Sequence, residues 1–251
     1  MWLDAWFKNP FLQDGVAALI TLAVALGWLR MLDAMAHRGL LGQQLSRKII
    51  HIGTGPLYVL CWPLFSQAPS ARWLAALVPL LITVQFFLVG TGRIQDPAAV
   101  QAMSRTGDPR EILRGPLYYG IVFVIVTLVF WRESPVGIVA LMLMCGGDGL
   151  ADIVGRRLGS RKLPHNPEKS WAGSIAMLVG GFVFSAGFVV LFAAWGVFRP
   201  ALQGGPALAA TAAIAVVGAV VESFPLRDID NITIAAAALL CGMLLFPLAV
   251  H

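Results

Sequence analysis

Charge is scarce in this sequence. Of its 251 residues only 12% are Asp, Glu, Lys or Arg, against roughly 25% in an ordinary soluble domain. Apolar residues make up 58%, and the mean hydropathy is +0.79. A soluble core could not bury that much apolar surface, so lipid is the natural solvent for most of the chain. Cysteine is also scarce: Cys61, Cys145 and Cys241 are far apart and all in apolar segments. They form neither a disulfide framework nor a CxxC metal site, and read as small apolar packing residues. Alternating ten-residue strands are missing, which excludes a transmembrane barrel. Internal repeats and low-complexity linkers are missing too, so a single domain over 1–251 is expected. No basic segment precedes the first apolar run, where Asp14 stands instead. That run is expected to stay as a membrane helix rather than be cleaved as a signal peptide.

What is present is a series of long apolar runs. They fall at about 15–32, 50–66, 71–90, 116–132, 135–154, 171–195, 207–223 and 232–250. Most reach the roughly 20 residues that cross a hydrocarbon core, and in lipid each must satisfy its backbone internally as a helix. The fold class expected is all-α, a polytopic integral membrane bundle of about eight transmembrane helices. The second run is short and holds Pro56 and Pro63, so a kink or tilt is expected there.

The charges that do occur are one-sided. All but Lys8, Arg72, Arg132 and Arg199 of the 18 Lys and Arg fall in the loops after runs one, three, five and seven, or on their flanks. The positive-inside rule then places those loops in the cytoplasm and both termini on the opposite side. The same face carries all but Asp4, Asp14 and Glu133 of the 13 acids. Basic loops also bind anionic headgroups, and Arg30, Arg38 and Arg93 read plainly that way. Topology needs no carboxylates, so the acids call for another reason.

The stretch CGGDGLADIVGRRLG, residues 145–159, ends an apolar run with Asp148 and Asp152. On a helix they are an i, i+4 pair sharing one face. Gly147 and Gly149 keep neighbouring positions small, so a backbone or a phosphate can approach. Adjacent carboxylates repel unless a cation lies between them or one is protonated. Mg²⁺, which takes one or two carboxylates plus substrate phosphates, fits; the plain alternative is a helix end neutralised by Arg156 and Arg157. In NPEKSWAGS, Pro167 and Glu168 look like the first turn of a helix. Lys169, Ser170 and that turn's N–H groups would make an anion site, with Gly173 allowing close approach. In VESFPLRDIDNITI, Glu222, Asp228, Asp230 and Asn231 cluster before the last run; a solvated turn accounts for Asp228, whereas Asp230 and Asn231 abut an apolar helix. In SRKIIHIG, Arg47, Lys48 and His51 enter the second run as candidate phosphate ligands. Carboxylates for a metal, cations for phosphates and a greasy bundle describe phosphoryl or nucleotidyl transfer to a lipid.

In order along the chain, SRKIIHIG, GDPREILRGPLYYG, CGGDGLADIVGRRLG, NPEKSWAGS and VESFPLRDIDNIT resemble the phytol kinase branch of the polyprenol kinase family. That family includes dolichol and farnesol kinases and is more distantly similar to phosphatidate cytidylyltransferase. The resemblance runs from about Ser46 to the C-terminus. It implies a CTP-dependent kinase that phosphorylates an isoprenoid alcohol, phytol in this branch, with geranylgeraniol and farnesol as related acceptors. In photosynthetic organisms this salvages phytol from chlorophyll towards tocopherol. CTP enters through the resemblance alone.

The mechanism expected is in-line transfer. Asp148, Asp152 and Asp230 are the candidate Mg²⁺ ligands, Asp230 alternatively the base. Lys169, Arg47, Lys48, His51, Arg156, Arg157, Ser170 and Asn231 are the candidate nucleotide and phosphate contacts, with Gly147, Gly149 and Gly173 giving room. Partners expected are the alcohol, CTP and membrane lipids, and not nucleic acid. A cytidylyltransferase forming a CDP-lipid uses the same acids and cations. An ion-coupled transporter would place acids at the bilayer midplane and show inverted repeats.

Overall fold

The structure is a computed structural model that describes residues 2–226 and 228–250; Met1, Arg227 and His251 lie outside them. The chain forms two compact units, Met1–Val129 and Phe130–His251.

The first unit holds α1 (Pro10–His37), α2 (Gln43–Leu60), α3 (Ala71–Gly90), α4 (Pro97–Met103) and α5 (Gly115–Val129). Short 3₁₀ turns at Trp62–Leu64 and Pro109–Leu113 follow α2 and precede α5. Asn9 starts α1: its side-chain oxygen accepts the N–H groups of Phe11 at 2.9 Å and Leu12 at 3.4 Å, and Pro10 takes the first helical position. Cap and proline together settle three of the orphan positions at a helix start.

By length and composition, seven segments can cross a membrane: α1, α3, Pro109–Val129, Pro135–Leu158, Trp171–Ala194, Gly204–Glu222 and Asp230–Ala249. α2, which holds the second apolar run, is not among them because Gln43, Gln44, Arg47, Lys48 and His51 make its first half polar. Its geometry nevertheless matches a span. At one end Ser46 Oγ donates to the Leu32 carbonyl at 3.1 Å; at the other, Gln13 Nε2 donates to the Leu64 carbonyl at 3.1 Å. α1 and α2 with its turn are therefore antiparallel and coextensive. From Gln13 to Leu32 a helix rises about 28 Å, close to a hydrocarbon core. Beside Gln13, the fully buried Asp14 accepts from the Ser66 N–H at 2.7 Å and its hydroxyl at 3.0 Å, fixing the turn into α3.

α3 carries Pro79 in its interior. A proline has no N–H, so the carbonyl four residues earlier, that of Ala75, loses its helical partner. Tyr58 Oη donates to that carbonyl at 3.1 Å and meets Thr127 Oγ at 2.9 Å. In lipid an unmatched carbonyl is costly, and a neighbouring helix supplies the missing donor.

The second unit is built round one long element. α6 (Pro135–Met142), a π-helical segment (Leu143–Asp148) and α7 (Gly149–Leu158) run on without a break, and most of this span is buried. It packs against α8 (Trp171–Ala194), α9 (Gly204–Glu222) and α10 (Asp230–Leu245), the last followed by a 3₁₀ turn at Phe246–Ala249. The wider π turn ends on Asp148. Such insertions are frequent at functional sites.

Between α7 and α8 lies a two-stranded antiparallel hairpin, β1 (Lys162–Leu163) and β2 (Asn166–Ser170). This corrects the expectation of a helix starting at Pro167 and Glu168. Asn166 Oδ1 takes the Glu168 N–H at 3.1 Å, Ser170 has an extended backbone, and its hydroxyl accepts from Gly173 N–H at 3.2 Å. Helix α8 therefore begins one residue after its serine cap, and Lys169 belongs to the strand before it. Pro167 is compatible with an edge strand, where a missing donor does no harm.

Candidate functional site

Asp148 stands where the π segment gives way to α7, 6% exposed. Asp152 lies one turn on, in the first turn of α7, its side chain 25% exposed and 2.8 Å from Arg156 Nε. The expected i, i+4 neighbours are thus in different surroundings, one buried in the bundle and one paired at its rim. Arg157 is exposed beside them.

Lys169 reaches from β2 to Glu222, the last residue of α9, with an ammonium-to-carboxylate contact. Glu222 is 3% exposed in that pair and Lys169 28%. Burial works against the charged lysine. The carboxylates of Glu222, Asp148 and Asp230 outweigh it and hold the ammonium above its usual 10.5. Four elements therefore bring charge to one place: the π segment, β2, the end of α9 and the start of α10. Asp230 opens α10 and Asn231 is buried next to it, where a carboxylate suits the positive helix end.

The backbone of β2 is anchored to the same corner. Asn166 Nδ2 donates to the Ser223 carbonyl at 3.0 Å, and His165 Nε2 lies 3.0 Å from Ser223 Oγ. His165 also packs on the Phe224 ring, with centroids 5.7 Å apart. Asp228, in the turn before α10, has a φ of 70°, a conformation that Asp and Asn tolerate better than most residues.

The glycines are occupied by protein. A Cβ at Gly147 would lie 2.7 Å from Met177 Sδ, and one at Gly173 would lie 3.2 Å from the Ala151 carbonyl and 3.4 Å from Gly155 Cα. Gly147 thus admits α8 to the π segment, and Gly173 lets α8 approach the backbone of α7. Gly149 is buried at the start of α7. Ser170 is buried and its oxygen is engaged in capping α8.

Arg47, Lys48 and His51 lie half-buried on α2, in the first unit. The His51 ring packs on Tyr119 with centroids 4.5 Å apart, and Tyr119 Oη donates to the His51 carbonyl at 2.7 Å. The loop GDPREIL of that unit is also well fixed. Asp108 accepts from the Arg110 N–H at 2.9 Å, and the Glu111 carboxylate takes the N–H of Arg105, the N–H of Thr106 at 3.2 Å and the Thr106 hydroxyl at 3.0 Å. Beside it opens a cavity of about 700 Å³, lined by Gln43, Asp96, Gln101, Ser104, Arg105 and Thr106 among others.

Among the described residues no group of three or more His, Cys, Asp or Glu side chains is gathered as a ready-made metal cage. The donor set still suits Mg²⁺, whose sites use one or two carboxylates and fill with phosphate and water oxygens. Asp148 and Asp230 offer hard oxygens about one ammonium.

Glu222 is the member of this cluster that sequence reasoning left without a role. Its signal was the one that singled out Asp148: an acid joined directly to an apolar run, where burial demands a partner.

A helical bundle with seven segments able to cross a membrane, and with carboxylates and an ammonium converging at one end of its second unit, defines the class, a multi-pass membrane protein with a charged site. Comparison with known proteins makes the class specific. The chain is 46% identical over 240 residues to "Probable phytol kinase, chloroplastic" of Triticum aestivum, covering 95% of this chain and 79% of that one. It is 46% identical over 237 residues to "Probable phytol kinase 1, chloroplastic" of Oryza sativa subsp. japonica, with 94% and 75% covered. It is 41% identical over 241 residues to "Farnesol kinase, chloroplastic" of Arabidopsis thaliana, with 95% and 78% covered. No family model matches the chain, and no solved structure does. The chain belongs to the phytol kinase family and is a kinase.

Proposed function

We propose that this enzyme transfers the γ-phosphoryl group of CTP to an isoprenoid alcohol, phytol first and geranylgeraniol or farnesol as alternative acceptors. The observation that carries this reading is the convergence of Asp148, Lys169 and Asp230 at one end of an apolar helical unit. The names of the relatives supply the acceptor class. CTP as donor rests on the family resemblance of GDGLAD and KSWAGS.

The alcohol oxygen attacks the γ-phosphorus in line, the bond from that phosphorus to the β–γ bridging oxygen breaks, and CDP leaves. An alcohol is a weak nucleophile, so most of the work is neutralising charge on the phosphates. Lys169 would contact a phosphate oxygen, with Arg156 and Arg157 as further phosphate contacts of the same unit. Asp148 and Asp152 would hold Mg²⁺, with Asp230 as a third donor or as the base that takes the hydroxyl proton. Bound there, the ion supplies charge neutralisation on the triphosphate. The prenyl chain would lie among the helices, entering from the bilayer, with the reacting end on the cytoplasmic face and both termini opposite.

The test is purified protein offered CTP, ATP, UTP or GTP with phytol, farnesol or diacylglycerol, the products read by mass spectrometry. Phytyl phosphate and CDP are expected. With phosphatidate, a lipid phosphate, added to the acceptors, a CDP-lipid and pyrophosphate would make the enzyme a cytidylyltransferase instead.

A further inference from the structure

Lys169 is held from behind. Its ammonium meets Glu222, and the two residues after Pro164 tie the same corner to the next residue, Ser223: Asn166 to its carbonyl and His165 to its hydroxyl, both at 3.0 Å. The hairpin that carries the lysine is thus fastened to the end of α9 at three adjacent points. We propose that Glu222 is the positioning residue for Lys169 in phosphoryl transfer, aiming its ammonium at the transferring phosphate. This rests on the reading of Lys169 as a phosphate contact given above.

The chemistry follows from the inventory of donors. An ammonium has three N–H groups, so the contact with Glu222 does not exhaust its capacity to donate to an anion. The long lysine stem has many rotamers to lose, and a carboxylate at its tip fixes that stem before the nucleotide arrives. The partner is buried and cannot swing out with the lysine to follow a badly placed phosphate. An ammonium neutralised by its partner adds little net pull on a triphosphate in the ground state. What Glu222 contributes is direction, and direction is realised in the transition state more than in binding.

The experiment compares wild type, Glu222→Gln, Lys169→Met and the double variant in nanodiscs, with whichever donor and acceptor the wild type turns over. Glutamine is nearly isosteric and keeps a carbonyl oxygen for the ammonium, and the double variant leaves no unmatched charge if the single one folds poorly. Glu222→Gln should lower kcat by about tenfold or more, with the KM for nucleotide and for alcohol each within about threefold of wild type. Its thermal midpoint should match wild type. In the Lys169→Met background the same glutamine change should cost almost nothing, because Glu222 acts through that lysine. An unchanged kcat in Glu222→Gln would overturn the proposal, as would a loss that persists in full without Lys169 or that tracks a lowered thermal midpoint. Wild type that makes no phytyl phosphate from CTP would instead sink the proposed reaction, and the Glu222 comparison would proceed with the substrates it does use.

Discussion

Arg156 Nε lies 2.8 Å from Asp152 Oδ1, one turn along the same helix, while the other carboxylate of the GDGLAD stretch, Asp148, is 6% exposed within the bundle. An ion pair as exposed as the first contributes under about 1 kcal/mol. It opens readily when a cation or a triphosphate competes for either member. The buried acid has no such freedom and must keep compensating charge near it, for which Lys169 is placed. In the proposed reading the two acids would be a fixed metal donor and a recruitable one.

From this we expect Asp148→Asn and Asp152→Asn each to reduce turnover at least about a hundredfold, as loss of a metal ligand commonly does, with the protein still folded. Turnover measured at saturating Mg²⁺ checks it. Near-normal rates for both variants would remove these residues from the metal site. Arg156→Ala should raise the KM for nucleotide while leaving the alcohol KM in place.

The apolar runs made the helices legible, because in lipid a run of about 20 apolar residues has no alternative to a helix. α2 was only half legible: its apolar core showed, but its start at Gln43 hid among polar residues that hydropathy does not favour. The hairpin was missed because Pro-Glu before a serine also describes a helix start; the tie of Asn166 to Ser223 is a contact across 57 residues that no local pattern contains. The π segment was equally hidden, since its two glycines read as small packing residues. Of the site, Asp148, Lys169 and Asp230 were legible as ions abutting apolar runs. Glu222 had the same signature, but its pairing with Lys169 is tertiary.

Tyr58 offers a test of how the first unit copes with Pro79. Tyr58→Phe removes the donor to the Ala75 carbonyl and the contact with Thr127. Interhelical hydrogen bonds in membranes are worth about 0.6–1.7 kcal/mol, so we expect a loss of about 1 kcal/mol in reversible unfolding from mixed micelles. Thr127→Val, which spares the bond to Ala75, should lose less. Restoring the helical donor with Pro79→Ala should make Tyr58→Phe nearly neutral; equal losses in both backgrounds would mean the carbonyl never needed the tyrosine.

The coextensive α1 and α2 bear on topology. If α2 crosses the membrane, the eight crossings put both termini on the side opposite the basic loops. Tags at residues 1 and 251 should then be reached from outside in intact cells, and a cysteine placed at Ser160 should be labelled only after permeabilisation. Tags on opposite sides would mean seven crossings, with α2 lying within one leaflet.

Lys169 is where the phosphate reading is most exposed to test. Its ammonium stays charged above the ordinary lysine value because three carboxylates outweigh its burial. A group so raised remains protonated through neutral and mildly alkaline pH, and its contribution is lost only as pH climbs past its own elevated pKa. The KM for CTP should therefore not rise on this lysine's account between pH 7 and about 9. Lys169→Ala should weaken nucleotide use strongly, in KM or in kcat, and leave the KM for phytol largely intact. Lys169→Arg should rescue only partly, because a planar fork cannot reproduce a compact ammonium already lodged on Glu222. Steady-state kinetics with CTP and phytol varied separately distinguish this from a lysine that merely marks the end of a membrane helix. In that case arginine would substitute freely and alanine would lower only the yield of folded protein, so full activity in the arginine variant with unchanged CTP dependence in the alanine one would end the phosphate assignment.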